Sequence, residues 1–163
     1  MRGADIWLPP RGTVICAASA IEHDETRGFV LTASDSVPNI ATDKDKRLDM
    51  FIWHTQGHFY GFVNSCPHLG LPLETFPDRF LNAMGNALIC SAHGAQFDAT
   101  GACFAGPCSG DNLIRLELAL VPQPADPSDA APLDASLKAG SPPQNAAAHA
   151  DKNIVLIGLL AHS

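Results

Sequence analysis

The sequence has few basic residues and no cluster of them. It contains 10 Lys and Arg against 17 Asp and Glu in 163 residues, which gives a formal net charge of −7. Nucleic acids and anionic membranes are bound mainly through clustered Lys and Arg, so this composition argues against both as partners. The same negative charge suits docking onto a basic protein surface.

The sequence also lacks a long hydrophobic run. The longest C-terminal run, residues 154–161, is too short to cross a bilayer. Near the N-terminus, Asp5, Pro9 and Pro10 leave no room for the apolar core of a secretory signal. We therefore expect no membrane span, no signal peptide and a cytoplasmic protein.

Cysteine is present in an odd number. With five cysteines and no export signal, a complete disulfide framework is not expected. Metal binding and reactive thiols become the more plausible uses of these residues.

No sustained helical period and no internal repeat is visible, and the apolar runs are short. A Gly-containing turn at Gly57 separates two of these runs, as in a β-hairpin. Short strands with turn signals predict an all-β sandwich or barrel, and the length suits a single domain over residues 1–163. The predicted strands cover residues 13–18, 28–33, 50–54, 58–63, 87–90, 113–121 and 154–157.

Residues 122–150 differ from the rest of the chain. They hold six of the 13 prolines, are rich in Ala, Asp and Ser, and have no apolar period. This composition predicts a loop or insertion that leaves the fold and returns to it, and no second domain.

Two short segments carry most of the chemistry. Residues 66–70 read C-P-H-L-G and residues 90–94 read C-S-A-H-G, and each segment follows a predicted strand. Two strand-end loops that each contain a thiol and an imidazole can close on one metal centre. The candidate ligands are Cys66, His68, Cys90 and His93.

This donor set suits two kinds of metal centre. Two thiolates and two imidazoles could bind one tetrahedral zinc ion. They could also bind a [2Fe–2S] cluster, with both Cys on one iron and both His on the other. Zinc sites usually space paired ligands by two to five residues, so the C-x-H pair is tight for one shared ion and fits two adjacent irons better.

The two segments resemble the cluster loops of the Rieske iron–sulfur proteins. The resemblance continues through residues 95–98 and 100–101 and through Gly106-Pro107, and it is close over residues 52–121. It implies one [2Fe–2S] cluster in a small Rieske-like β-domain, with a cluster-binding subdomain over residues 64–110. Carried over by position, Cys66 and Cys90 bind the inner iron, whereas His68 and His93 bind the outer, more exposed iron.

The resemblance also bears on the reduction potential. High-potential members of the family carry an extra Cys in each loop, where this sequence has Leu71 and Ala92. They also carry a Ser and a Tyr that donate hydrogen bonds to cluster and ligand sulfur, where this sequence has Ala95 and Phe97. Without these donors we expect a low potential, at about −150 mV, as in ferredoxin or oxygenase types.

The implied function is one-electron transfer without catalytic residues, as a stand-alone ferredoxin between a reductase and an oxygenase or similar acceptor. The chain is too short for a mononuclear-iron domain and lacks a plausible two-His-one-carboxylate set outside the loops, so it is not itself an enzyme. The alternatives are a Rieske subunit of a larger oxidoreductase complex, or a redox-sensing or structural metal domain. For Cys103 and Cys108 we expect free, partly buried thiols rather than a local disulfide.

Overall fold

A computed structural model describes residues 6–33, 46–123 and 152–159. Within these ranges the structure has a short 3₁₀ turn at Ala18–Ala20, and no helix is long and apolar enough to cross a membrane. The predicted all-β class is therefore confirmed. The strands are β1 Thr13–Ala17, β2 Glu25–Thr32, β3 Arg47–Thr55, β4 His58–Val63, β5 Leu88–Ile89, β6 Gln96–Phe97, β7 Cys103–Ala105, β8 Arg115–Pro122 and β9 Lys152–Leu159.

In the described part of the chain the strands form two antiparallel sheets. The larger sheet has six described strands in the order β1-β9-β8-β4-β3-β2 and curls into a nearly closed barrel. The smaller sheet has three short strands in the order β5-β6-β7. The candidate ligand loops lie after β4 and between β5 and β6, so the smaller sheet and its loops present the site.

The predicted hairpin is formed by β3 and β4. Thr55 pairs with His58, and Gln56 and Gly57 make the turn with φ values of 53° and 73°. Two central residues with positive φ define a type I′ turn, whose twist matches that of the flanking strands. Gly57 adopts its positive φ without the steric strain that a residue with a Cβ atom would have there.

Strand β3 is buried on both faces because it separates two hydrophobic cores. Met50 and Ile52 point into the barrel core with residues from β1, β8 and β9. Phe51 and Trp53 alternate with them and point into a second core beneath the candidate ligand loops. One strand therefore fixes the position of the site relative to the barrel.

The second core extends into the long connection between β4 and β5. The ring of Phe80 is fully buried and stacks on Phe51 with 4.2 Å between ring centroids. Nearby, the Asp78 carboxylate accepts a 2.7 Å hydrogen bond from the Gly28 N–H, and the Asp78 carbonyl accepts a 2.8 Å bond from the Thr26 hydroxyl. These bonds occupy polar groups of β2, the edge strand of the larger sheet, and attach the connection to the barrel.

Two features of the sheets differ from the sequence expectation or add to it. Strands β6 and β7 were not predicted, because elements of two and three residues show no readable alternation. Strand β8 continues to Pro122, which pairs with Lys152 of β9. Pro122 and Lys152, the paired residues that flank most of the expected 122–150 insertion, are thus adjacent, and residues 124–151 lie outside the described ranges.

The Phe80→Ala substitution is expected to destabilise the protein by about 3–5 kcal/mol, because it removes a fully buried ring that joins the site to the barrel. Phe76→Ala is the matched control, since the Phe76 side chain is 64% exposed four residues away, and it should change the free energy of unfolding by less than about 0.5 kcal/mol. Urea unfolding measures both values. Equal losses for the two variants would contradict the docking role of Phe80.

Candidate metal centre

The two candidate ligand loops share one backbone conformation. In each loop, the Cys N–H donates to the carbonyl five residues later, and the Gly four residues after the Cys donates back to the Cys carbonyl. For the loop that starts at Cys66 these distances are 2.8 and 2.7 Å, and for the loop that starts at Cys90 they are 2.8 and 2.8 Å. The glycines, Gly70 and Gly94, have φ values of 72° and 71°. The left-handed conformation at this position explains why both segments carry glycine there.

A network of side chains links the two loops. The Asn64 carboxamide accepts a 3.0 Å bond from the Leu73 N–H and donates a 3.0 Å bond to Glu74. The Leu73 carbonyl accepts two bonds from Ser91, one from its N–H at 2.7 Å and one from its hydroxyl at 2.8 Å. The Thr75 hydroxyl donates to the Ser91 hydroxyl at 2.7 Å. Sequence reasoning missed this network, since no spacing rule pairs these residues.

The structure brings the four candidate ligands together in two layers. The side chains of Cys66 and Cys90 are buried, with 2% and 1% exposure. His68 and His93 are exposed, and their rings meet edge to face with 5.0 Å between centroids. The thiols therefore form an inner pair and the imidazoles an outer pair, in the order expected from the resemblance.

The inner pair is suited to a cation. Burial raises the pKa of the Cys66 thiol, the backbone N–H of His68 lowers it, and the neighbouring Cys90 raises it further. Two adjacent buried thiolates are costly without a compensating positive charge, and a bound metal supplies that charge.

The arrangement of the donors bears on the kind of metal group. The four donors present one pair of soft thiols and one pair of imidazoles. A two-iron cluster takes such pairs, one pair on each iron, so the donor set fits a [2Fe–2S] group.

A third loop packs against the second ligand loop. Gly106 has φ of 100°, and a Cβ placed there would lie 2.6 Å from the Cα of Ala95. Only glycine allows this approach of two backbones, and Pro107 follows it directly. The loop therefore closes one side of the site.

The turn between β6 and β7, which comes before the third loop in the chain, is stabilised by Asp98. The Asp98 carboxylate accepts bonds from the N–H and hydroxyl of Thr100, at 2.8 and 2.6 Å, and from the Ala102 N–H at 3.1 Å. Burial favours a higher pKa for Asp98, but these hydrogen bonds outweigh it and lower the pKa. The ionised carboxylate thus stabilises the turn that leads into Cys103.

Two further thiols lie below the ligands. Cys103 and Cys108 are not joined by a disulfide, as expected. Their exposure is 5% and 2%, so they are fully buried, whereas the sequence analysis predicts partly buried thiols. Their sulfur atoms lie 3.0 Å apart. Burial, with the neighbouring Cys103 and Cys66, raises the pKa of Cys108 to about 12. The Cys108 thiol is therefore protonated at neutral pH and faces Cys66.

Ala95 and Phe97 stand where high-potential members of the family carry Ser and Tyr, and neither offers a hydroxyl to the site. Ala95 and Phe97 are fully buried and contribute only apolar surface to the core beneath the loops. The Ser91 hydroxyl follows Cys90 in sequence, but it donates to the Leu73 carbonyl.

Comparison with known proteins shows the family of the chain. The model of the Rieske [2Fe-2S] domain family matches residues 13–123, which is more than half of the chain. The chain therefore belongs to the Rieske [2Fe-2S] domain family. Its cofactor is one Rieske-type [2Fe–2S] cluster.

Among solved structures, the chain is similar to one described as "Complex of reduced oxygenase and oxidized ferredoxin in carbazole 1,9a-dioxygenase". The two chains share 15% identity, the match covers 92% of this chain and 96% of the other, and the TM-score is 0.49. No curated protein sequence matches the chain.

The Gly106→Ala substitution is expected to displace the third loop, since the new Cβ would clash with Ala95. Gly110→Ala is the matched control, because Gly110 also has positive φ, 97°, but its Cβ would meet nothing within 4 Å. We expect Gly106→Ala to cost about 1–3 kcal/mol more than the control. Denaturant unfolding of the two variants at equal iron content gives this difference, and equal costs would show that the close approach is not needed.

Proposed function

We propose that Cys66, His68, Cys90 and His93 hold the cluster. The buried pair, Cys66 and Cys90, binds the inner iron as thiolates, and the exposed pair of imidazoles binds the outer iron. The proposal is supported by the equivalent backbone of the two loops and by the contact between the imidazole rings. As thiolates, the two buried cysteines need a positive charge beside them, which a bound cluster would supply.

We infer that the protein is an electron carrier rather than an enzyme. The observation that carries this inference is the exposure of His68 and His93, at the outer end of a site whose sulfur ligands are buried. When bound, the cluster supplies a one-electron redox couple, and the chain supplies position and environment. Exposed imidazoles bring the redox centre within reach of a partner surface.

The surface around the imidazoles has a distinct chemistry. Residues 66–72, 90–95 and 106–108 contain no Asp, Glu, Lys or Arg. Leu69 and Leu71 are both exposed beside His68. The negative charge of the chain therefore lies outside these loops, where it steers a partner from a distance, and the contact around the imidazoles is apolar. We name residues 66–72, 90–95 and 106–108 the tip.

On this basis we propose a stand-alone, cytoplasmic ferredoxin that passes electrons through the tip from a reductase to an oxygenase or similar acceptor. The small set of apolar contacts at the tip suits a brief encounter, because weak redox complexes bury little surface. A low potential, at about −150 mV, follows from the missing hydroxyl donors at Ala95 and Phe97.

Removal of one ligand from either layer should abolish the cluster. We expect Cys66→Ser and His93→Ala to lose the visible absorption of the oxidised protein, together with iron and inorganic sulfide. Cys16→Ala and His58→Ala are the matched controls, as Cys16 lies on β1 and His58 on β4, outside the two loops. Both should keep the wild-type spectrum. An intact spectrum in both ligand variants would overturn the assignment.

The proposal that electrons leave the protein through the tip can be tested without a known partner. Electron self-exchange between reduced and oxidised protein, measured by NMR line broadening, requires two tips to meet. Leu69→Asp places a like charge on both tips and should slow self-exchange roughly tenfold, the effect of about 1.4 kcal/mol.

The control for this variant is Val14→Asp. Val14 is 53% exposed on β1 of the barrel, and its substitution changes the net charge equally. Self-exchange in this control should stay within twofold of wild type. Equal slowing in both variants would mean that net charge, and not the tip, governs the encounter.

A further inference from the structure

The Cys103 and Cys108 thiols lie on either side of the Gly106-Pro107 turn in the third loop. Their sulfur atoms are 3.0 Å apart, about 1 Å longer than a disulfide bond. Cys103 N–H and carbonyl are bonded to the far side of the same loop, at Asp111 and Gly110, with distances of 2.8 and 3.0 Å. The backbone thus already holds the two side chains face to face, and bond formation needs only a small local movement.

We propose that Cys103 and Cys108 are a modification site, which forms a reversible disulfide, and that this bond changes the reduction potential of the neighbouring cluster through Cys66. The second half of the proposal rests on the proposed function, whereas the first half does not.

The reaction requires an oxidant, for which we take a low-molecular-weight disulfide such as glutathione disulfide. One thiolate of the pair attacks it, forms a mixed disulfide and releases one glutathione thiolate. The other thiolate attacks the mixed disulfide, closes the protein disulfide and releases the second glutathione. The protein loses two electrons and two protons, and glutathione disulfide takes them up as two thiols.

Glutathione disulfide can reach the two thiols where the loop between Cys103 and Cys108 opens. Between the two thiols, Phe104, Gly106 and Pro107 are exposed, so on this side the loop lies between the thiols and solvent. The loop is held by backbone bonds among its own residues, such as that from the Asp111 N–H to the Cys108 carbonyl at 2.9 Å. Short loops with few buried contacts open locally without global unfolding. Burial therefore makes the exchange slow and does not prevent it.

The link to the cluster is the proximity of Cys108 to Cys66, since both are buried in the core beneath the ligand loops. In the proposal, the Cys108 thiol donates a hydrogen bond to the Cys66 sulfur. A donor to a ligand sulfur stabilises the additional negative charge of the reduced cluster and so raises its potential. The disulfide has no S–H group, so its formation removes this donor and lowers the potential. In this role Cys108 is a positioning residue that acts on the ligand.

The disulfide is tested by counting thiols. Protein with its cluster is equilibrated in glutathione buffers from fully reduced to fully oxidised, then denatured with a chelator and alkylated, and its mass is measured. Wild type has five cysteines and should pass from five labels to three as the buffer becomes oxidising. Cys103→Ala should show four labels throughout. Five labels on wild type in the oxidised buffer, or a loss of labels in Cys103→Ala, would overturn the site.

The effect on the cluster is tested by spectroelectrochemical titration of the same samples. Oxidised wild type should have a lower potential than reduced wild type. Cys103→Ala keeps the Cys108 thiol and should have the reduced wild-type value in both buffers. Cys108→Ala should be lower in both, and Cys108→Ser, which restores a donor, should be higher than Cys108→Ala.

These readouts separate the two claims. A disulfide without any change in potential would overturn the coupling alone. A protein without cluster absorption in reducing buffer would contradict the proposed function, while the thiol count would still decide whether the disulfide forms.

Discussion

The site depends on one constraint, which is that two thiols must be buried while two imidazoles a few residues away stay at the surface. Each ligand loop meets it with the same backbone turn, in which the Cys N–H and carbonyl are both bonded within the loop and a left-handed Gly returns the chain. The turn sends the Cys inward and leaves the His outside. It works with either His spacing, since His68 follows its Cys by two residues and His93 by three.

The barrel supports the two ligand loops, because its strand β3 contributes side chains to the core beneath them. Strand β3 sends Phe51 into the core beneath the loops and Ile52 into the barrel core, so the two cores cannot move independently. Phe80 attaches the long connection to Phe51 by stacking. The site is thus mounted on the most buried strand of the molecule, and its outer layer alone is open to partners. This division suits a protein whose residues position a redox group and perform no chemistry of their own.

Much of the fold and the site could be predicted from the sequence. Alternation and turn residues identified the strands of the larger sheet and the hairpin at Gly57, and Cys-His spacing identified the four residues that the fold brings together. Strands β6 and β7 could not be predicted, because they are too short to show a period. The bond between Asn64 and Leu73 and the contact between Cys103 and Cys108 depend on how irregular loops cross, which no local pattern encodes.

The central claim is that one iron has two sulfur ligands from the protein and the other has two histidine nitrogens. Pulsed EPR of the reduced protein, with histidine alone labelled with ¹⁵N, tests it most directly. The account predicts two strongly coupled ¹⁵N nuclei, whose signals are replaced by those of ¹⁴N when the label is omitted, and an average g below that of all-cysteine clusters. A reduced cluster without coupled histidine nitrogen would show that His68 and His93 are not ligands and would contradict the account.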